Sequence, residues 1–248
     1  MSQRLNVSSI VIAKNEEIRI AQCLAALSWC DEIILVDNGS TDATAHIAGQ
    51  KGARVVGVKG RDFASLRNAG MKEAKGEWIL YIDADETLTE DLRKEIQHVV
   101  GGSSIAAYEL RRKNFYLGKE WPYQDKHLRL FRRDALKGWR GKLHETAIVE
   151  GDTAMLVHPL VHDTHRTLSE MVAKTNEWSD IEAKLRFDAS HPPVVQWRLW
   201  RVMATAFFDS FVGQGGWRAG TVGWIESMYQ AFSIFVTYAK LWELQQKS

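Results

Sequence analysis

The segment GEWILYIDADETL, Gly76 to Leu88, ends a run of apolar and aromatic residues abruptly on Asp83, Asp85 and Glu86. The run is short, β-rich and continuous rather than alternating, the pattern of a strand covered on both faces. Carboxylates crowded at the end of a buried strand repel one another unless a positive charge lies between them, or unless each caps a turn. Which of these holds decides both the fold and the chemistry.

Three earlier runs share the strand pattern: SSIVIA from Ser8, EIILVD from Glu32 and ARVVGV from Ala53. Between them lie segments of helical period. Ile20, Leu24 and Leu27 are spaced for one helix face, and a second helix is expected with Ser40 or Thr41 as its N-cap and Gly52 beyond its end. Asp62 caps a third that stops before Gly76, and Thr89 caps a fourth with Leu92, Ile96 and Val99 on one side. Strand and helix in strict alternation predict an open α/β sheet, mostly parallel and flanked by helices. After Gly101 the pattern changes. AAYELRRKNFYLG and DKHLRLFRRDA read as period-2 strands with exposed basic residues, followed by TAIVEG and AMLVHPLVHDT. A long helix is expected from Thr167 to Phe187, stopped by His191-Pro192-Pro193. The expected organisation is an α/β domain over 1–166, with halves 1–100 and 101–166, and a C-terminal helical region over 167–248.

Bulk composition narrows the function. The net charge of +1 over 248 residues, with 25% charged and 45% hydrophobic residues, is ordinary for a globular protein and offers no basic field for nucleic acid. Cys23 and Cys30 are the only cysteines; seven apart on an expected helix, they form no disulfide framework and favour a reducing compartment. MSQRLNVSS lacks a charged-then-apolar signal pattern, so a cytoplasmic location is expected.

In open α/β sheets ligands bind beyond the carboxyl ends of the strands. Those ends present Asn15 with Glu16 and Glu17, then Asp37, then Asp83 and Asp85. AKNEE after the first strand is no glycine-rich dinucleotide loop, and no GKS or GKT sequence marks a P-loop. Asp37 reads either as the first residue of the DNGSTD turn or as a carboxylate for a nucleobase or ribose. Asp83 and Asp85 flank one small residue, so in an extended segment they point the same way and suit Mg²⁺ or Mn²⁺ bound to a diphosphate; otherwise they cap the turn before the Thr89 helix.

Together, VIAKNEE, DEIILVDNGSTDAT, FASLRNAGMKEAKGEWILYIDADE and LRLFRRDA…GKLHE resemble glycosyltransferase family 2, the inverting GT-A enzymes, in unbroken order from about Ser8 to Glu150. Within it, NFYLGK, HDTHR and YAKLWE resemble bacterial lipopolysaccharide core β-1,4-glucosyltransferases. The resemblance implies a GT-A, Rossmann-like fold and a hexose, glucose from UDP-glucose, moved to a lipopolysaccharide inner-core sugar. It implies that Asp37 contacts the base, that Asp83 and Asp85 bind ribose and metal diphosphate, and that Arg67 and Asn68 lie near the nucleotide; a surface position for Arg67 is the alternative. Asn15 and Glu16 join the nucleotide site.

An inverting displacement needs a base for the acceptor hydroxyl. The family's usual Glu-Asp pair is replaced here by His144-Glu145, which makes Glu145 the candidate base with Asp125 behind it, unless Glu145 pairs with an arginine such as Arg140. His162 and His165 are candidate contacts to metal or diphosphate, and Arg129, Arg132 and Arg166 are candidate phosphate partners or members of a solvated face. Near the C-terminus, Ser227 to Ala239 is uncharged but shorter than the about 20 residues a span needs. Trp197, Trp200, Ala204, Phe207, Phe208 and Phe211 oppose a stripe of Arg198, Arg201, Thr205 and Asp209, and a second face runs through Trp224, Met228, Ala231, Phe235, Tyr238 and Trp242. These helices read as an anchor on a membrane surface, or as a hairpin packed on the domain or forming a dimer. Competing functions are the same chemistry on a polyprenyl phosphate or a protein, and a non-catalytic nucleotide-sugar-binding scaffold.

Overall fold

The computed structural model describes residues 6–59, 62–141, 145–164 and 166–247. It divides into two compact units. The first comprises residues up to Lys113 with Asp125–His162, and the second comprises Asn114–Gln124 with the chain from Asp163 onward.

In the first unit β1 (Val7–Ala13), β2 (Glu32–Asp37), β3 (Arg54–Gly57) and β4 (Trp78–Asp83) alternate with α1 (Ile20–Ala26), α2 (Thr44–Gln50) and α3 (Phe63–Glu73). β1 pairs in parallel with β2 on one side and β4 on the other, and β2 pairs in parallel with β3. The strand order therefore reverses beside β1, which opens a crevice at the carboxyl edge of the sheet. Pairing register sets Asp37 opposite Ala13 and Asp83 opposite Ile12, so both acids stand on that edge.

The sheet continues as β4–β7–β6–β11–β5, where β5 is Glu86–Leu88, β6 Ala107–Tyr116, β7 Lys119–Arg132 and β11 Leu160–Thr164. β7 runs antiparallel to β4 and β11 antiparallel to β5. β10 (Thr153–Met155) pairs with β6, while β8 (Leu136–Arg140) and β9 (Thr146–Val149) form a separate antiparallel pair. α4 (Glu90–Val100) begins at Thr89, whose hydroxyl accepts from the Leu92 amide at 3.2 Å.

Alternation in β1 explains why its sequence is apolar throughout. Val7, Val11 and Ala13 join a core with Ile20 and Leu24 of α1 and Leu92 and Ile96 of α4. Ile10 and Ile12 face the other way, into a core with Ala64 and Leu66 of α3, Tyr81, Phe131 and Trp139. β3 differs from expectation: as the edge strand it is largely exposed. α2 also differs. It starts at Thr44, with the Asp42 carboxylate accepting from the Thr44 amide at 3.0 Å. Ser40 and Thr41 are withdrawn from capping because the Ser40 hydroxyl accepts from the Asn15 amide (3.0 Å) and the Thr41 amide donates to Asn15 Oδ1 (2.8 Å). Cys30 lies past the end of α1, so the two cysteines do not share a helix face; burial pushes the Cys30 thiol up to about 12.

The second unit holds α5 (Leu168–Asp188), α6 (Gln196–Phe208) and α7 (Thr221–Gln246), the last two joined by a π turn at Asp209–Gly213 and a 3-10 turn at Gly216–Ala219. Thr167 caps α5, with its hydroxyl accepting from the Glu170 amide. Ala183, Val194, Tyr238 and Leu241 form its core. Trp121, fully buried, donates from its indole to Gln214 Oε1 at 3.0 Å.

Gly70 shows how tightly α3 lies on the sheet: a Cβ there would sit 2.4 Å from Ile10 Cγ2 and 3.0 Å from Val36 Cγ2. Overpacking of this kind costs about 1–3 kcal/mol, against a helix-propensity gain of about 1. Gly70→Ala is expected to lower stability by about 1–2 kcal/mol, read as a lower urea midpoint at unchanged slope.

Candidate active site

β4 ends at Asp83, and Ala84–Asp85 turn the chain into β5. The segment is not extended, so Asp83 and Asp85 do not share one partner. Asp83 faces two arginines: Arg129 Nη2 donates to Oδ2 at 2.6 Å, and Arg67 Nη2 to Oδ1 at 3.3 Å. Burial alone would raise the Asp83 carboxyl, but Arg129 and Arg67 outweigh it and hold it well below the usual carboxylate range. Glu86, fully buried, is the joint of the cluster. Its Oε2 accepts from the Asp83 amide (2.8 Å), and its Oε1 accepts from Arg129 Nη2 (2.8 Å) and Arg112 Nη1 (3.4 Å). The positive charge beside Asp83 and Glu86 is therefore supplied by arginine.

Arg129 corrects the reading of β7 as a strand with exposed basic residues. It is buried, because β7 lies between β4 and β6 and is covered on both faces there. Burial would lower its pKa, and Asp83 and Glu86 reverse that to hold the guanidinium charged. Arg132, three residues on, is half-exposed and pairs with Asp134 at 2.9 Å. Arg166 pairs with Glu170 at 3.7 Å.

Arg67 is also buried, not at the surface. Its guanidinium lies 4.9 Å from the Trp139 ring and 5.5 Å from the Tyr81 ring, and its Nε donates to Glu145 Oε1 at 2.9 Å. The ion pair of Glu145 is thus with Arg67, and Arg140 is exposed. Asn68 clamps the backbone of Trp139, accepting from its amide and donating to its carbonyl, both at 2.9 Å. Gly138 makes room for this at φ +142°, where a Cβ would stand 3.1 Å from Asn68 Oδ1.

Asp125 is bound by Arg112, whose Nε donates to Oδ2 at 3.1 Å, and by His127 at 2.7 Å. Asp37 accepts from the Ser40 amide through both oxygens at 3.3 Å, and Glu16 pairs with Arg19 at 3.3 Å while its amide donates to the Thr44 hydroxyl. A cleft of about 340 Å³ opens among Arg67, Asp83, Arg129, Trp139 and Glu145, with His127 and Lys126 on its rim.

β11 delivers His162 opposite Glu86, beside Asp85; His162 Nε2 lies 3.4 Å from Asp85 Oδ2. Two donors near 3 Å apart suit adjacent positions around one divalent cation with bonds of about 2.1 Å. Among the described residues no group of three or more His, Cys, Asp or Glu side chains is drawn together for a metal. The residues fit a cation that takes two protein ligands and completes its shell from phosphate and water, the usual habit of Mg²⁺. Arg67 Nη1 and Arg129 Nε are buried without a protein partner, which fits an anion-bearing ligand in this cleft. His144 and His165 lie outside the described residues.

Arg112 and Trp139 carry no local signal that points to the site, and the sequence reads Arg129 as a phosphate partner or as part of a solvated face rather than as a buried ion-pair member. One signal for Arg129 was present: it stands inside LRLF, between residues that a central strand buries.

The Glycosyl transferase family 2 model matches residues 8–162. The chain is 29% identical over 266 residues to the lipopolysaccharide core biosynthesis glycosyltransferase LpsC of Rhizobium meliloti, covering 98% of this chain and 94% of that protein. A glycosyltransferase of Rickettsia typhi is 27% identical over 259 residues, 98% of this chain and 88% of its own length. The solved mannosyltransferase PcManGT of Pyrobaculum calidifontis, in complex with GDP-Man and Mn²⁺, matches with a TM-score of 0.57 at 16% identity, over 98% of this chain and 88% of that one. At that identity the likeness shows the fold, which is the GT-A type.

Removing Arg129 leaves Asp83 and Glu86 buried with too little positive charge. Arg129→Met is expected to cost about 3–5 kcal/mol in chemical denaturation, whereas Arg132→Met, at the surface, costs no more than about 1. Asp83 has a folded pKa below its unfolded one, so its contribution is complete above the usual carboxylate value of about 4 and fades as pH falls through and below it. The stability gap between the wild type and Asp83→Asn should accordingly hold steady from neutral pH down to about 5 and narrow on further acidification.

Proposed function

The chain belongs to glycosyl transferase family 2 and is a glycosyltransferase, and on that premise we propose that it moves a hexose, glucose from UDP-glucose, with inversion onto an inner-core sugar of lipopolysaccharide. The observation that carries this reading is the cleft itself. Glu145 and the arginine-held Asp83 line it together, and the Asp85–His162 pair follows two residues after Asp83, at the carboxyl edge of the sheet where α/β folds bind nucleotides. The likeness to LpsC over nearly the whole of both chains supports a lipopolysaccharide acceptor. The work site for a lipid-linked acceptor is the inner face of the bacterial inner membrane.

Asp37 and the Asn15-braced turn at residues 38–41 receive the nucleotide, and Asp83 receives the ribose. Arg67 and Asn68 fix the floor of the site through Trp139. Asp85 and His162 hold Mn²⁺ or Mg²⁺, which when bound neutralises the departing diphosphate. Arg67 and Arg129 add fixed positive charge beside the leaving group.

Glu145 is the base. As the acceptor oxygen bonds to the anomeric carbon, the bond from that carbon to the diphosphate oxygen breaks, and the hydroxyl proton passes to the Glu145 carboxylate. Its ion pair with Arg67 fixes the carboxylate's position in the cleft. A positioned base contributes typically 10²–10⁴-fold. Asp125 is tied to Arg112 and His127 and does not line the cleft, so its role is to hold the acceptor side in shape.

Glu145→Gln is expected to reduce transfer by about 10²-fold or more while UDP affinity, measured by calorimetry, changes little. Asp125→Asn should chiefly raise the acceptor KM. If Asp125→Asn abolishes turnover and Glu145→Gln does not, the two roles are exchanged. Asp85→Asn and His162→Ala should each make UDP binding weak and insensitive to Mn²⁺; unchanged Mn²⁺-dependent binding would remove the metal assignment. A panel of nucleotide sugars with core oligosaccharides, read by mass spectrometry, tests donor and acceptor. Donor hydrolysis without acceptor separates an enzyme from a scaffold.

A further inference from the structure

The second compact unit carries an apolar face that the transferase reading does not use. α7 exposes Trp224, Met228, Phe232, Phe235 and Trp242, each between 38% and 55% accessible. At 100° per residue these five fall within an arc of about 80°, and at 1.5 Å per residue the stripe runs about 27 Å without a charged side chain. The rest of the helix is already used: Tyr229, Ala231, Tyr238 and Leu241 are buried within the unit. α6 adds a second stripe through Trp197, Trp200 and Phe208, which are 61%, 73% and 60% exposed. Phe207 and Phe211 join the stripes, each with its ring centroid 5.1 Å from that of Trp224. Contiguous apolar surface of this extent is rare on a monomer and marks a surface that something covers.

The side chains around the face identify what covers it. Arg198 and Arg201 lie 5.6 and 5.7 Å from the Trp197 ring, and Arg218 lies 5.1 Å from the ring of Trp217, itself 55% exposed. Of the acids in this region, Asp209 accepts from Gln214 Nε2 at 3.0 Å, Glu226 is buried, and Glu243, next to Trp242, is exposed. The face is therefore apolar with an excess of arginine stacked on tryptophan. Indole has an apolar body and one polar N–H, which suits the boundary between water and lipid; arginine lays its stem on apolar surface and offers its guanidinium to phosphate. A second copy of the chain would have to pair Arg198, Arg201 and Arg218 from this same surface, where Asp209 and Glu243 are the exposed acids among the described residues of α6, α7 and their turns. A soluble anion would satisfy the arginines and leave the indole and phenyl rings in water.

We propose that α6, α7 and the turns between them dock the chain on an anionic lipid bilayer, with the aromatic rings in the interface and Arg198, Arg201 and Arg218 on lipid phosphates. The helices lie in the surface rather than through it, since no helix among the described residues is long and apolar enough to cross a membrane. Docking serves the lipid-linked acceptor proposed above, but the residues that carry it belong to the other compact unit and are tested without turnover.

The full chain is mixed with vesicles of phosphatidylcholine alone or of equal parts phosphatidylcholine and phosphatidylglycerol, then sedimented, with tryptophan emission followed in parallel. The expected result is at least about tenfold tighter binding to the anionic vesicles, with a blue shift in emission. Trp197→Ser/Trp200→Ser should weaken that binding about tenfold or more. Arg198→Gln/Arg201→Gln should remove most of the preference for phosphatidylglycerol. Both variants keep UDP affinity, which separates loss of docking from loss of the transferase site. Should the double tryptophan variant fold poorly, Phe235→Glu makes the same test on α7. The proposal is overturned if wild-type protein sediments with neither vesicle, or if the variants bind as the wild type does. It is equally overturned if the face holds a dimer that Phe235→Glu dissociates while vesicles go unbound.

Discussion

Three carboxylates, Asp83, Asp85 and Glu86, stand at the end of the central strand β4, and their mutual repulsion is the constraint around which the first unit is organised. Arginines from three separate elements resolve it at Asp83 and Glu86, namely Arg67 from α3, Arg112 from β6 and Arg129 from β7, while Asp85 lies against His162. Each guanidinium is shared. Arg129 bridges Asp83 and Glu86, Arg112 bridges Glu86 and Asp125, and Arg67 bridges Asp83 and Glu145. Such a network ties the carboxyl edge of the sheet to the strands and turns across the cleft. Buried charges of this kind add little net stability compared with apolar packing, but removal of one partner is costly. What the network supplies is position: Asp83, Glu86, Asp125 and Glu145 are each held in a fixed orientation by an arginine.

Position also separates the surroundings of Asp83 from those of Asp85. A carboxylate whose two oxygens are taken by two arginines is a rigid acceptor and a poor candidate for several metal bonds. Asp85, one turn further, meets His162, which only the antiparallel pairing of β11 with β5 brings near. The same logic holds under α3, where Gly70 admits Ile10 and Val36, and where Asn68 and Gly138 fix Trp139 beneath the Arg67 guanidinium. The helical unit follows a different principle. Its interior is small and its outer face is aromatic, an arrangement that makes sense only when that face is covered.

The sequence by itself determined the α/β class, the strands β1 to β4, the Asp62 and Thr89 caps, the long α5 helix and the acids at the strand ends. These rest on local signals: period, turn chemistry and the short reach of a capping side chain. It also carried the order of motifs by which the family is recognised. Local signals failed where a residue had two suitors. Ser40 and Thr41 look like caps, but Asn15 claims them across the sheet edge, so α2 starts at Thr44. Only the tertiary structure decided which charges neutralise which, because ion pairs such as Arg67–Glu145 and Arg129–Asp83 join residues far apart in the chain, and no periodicity encodes a partner on another element. It likewise decided that Arg129 is buried and Arg132 is not: the flanking LRLF hinted at burial, but the covering neighbours of β7 and the carboxylates that pair with Arg129 come from other elements.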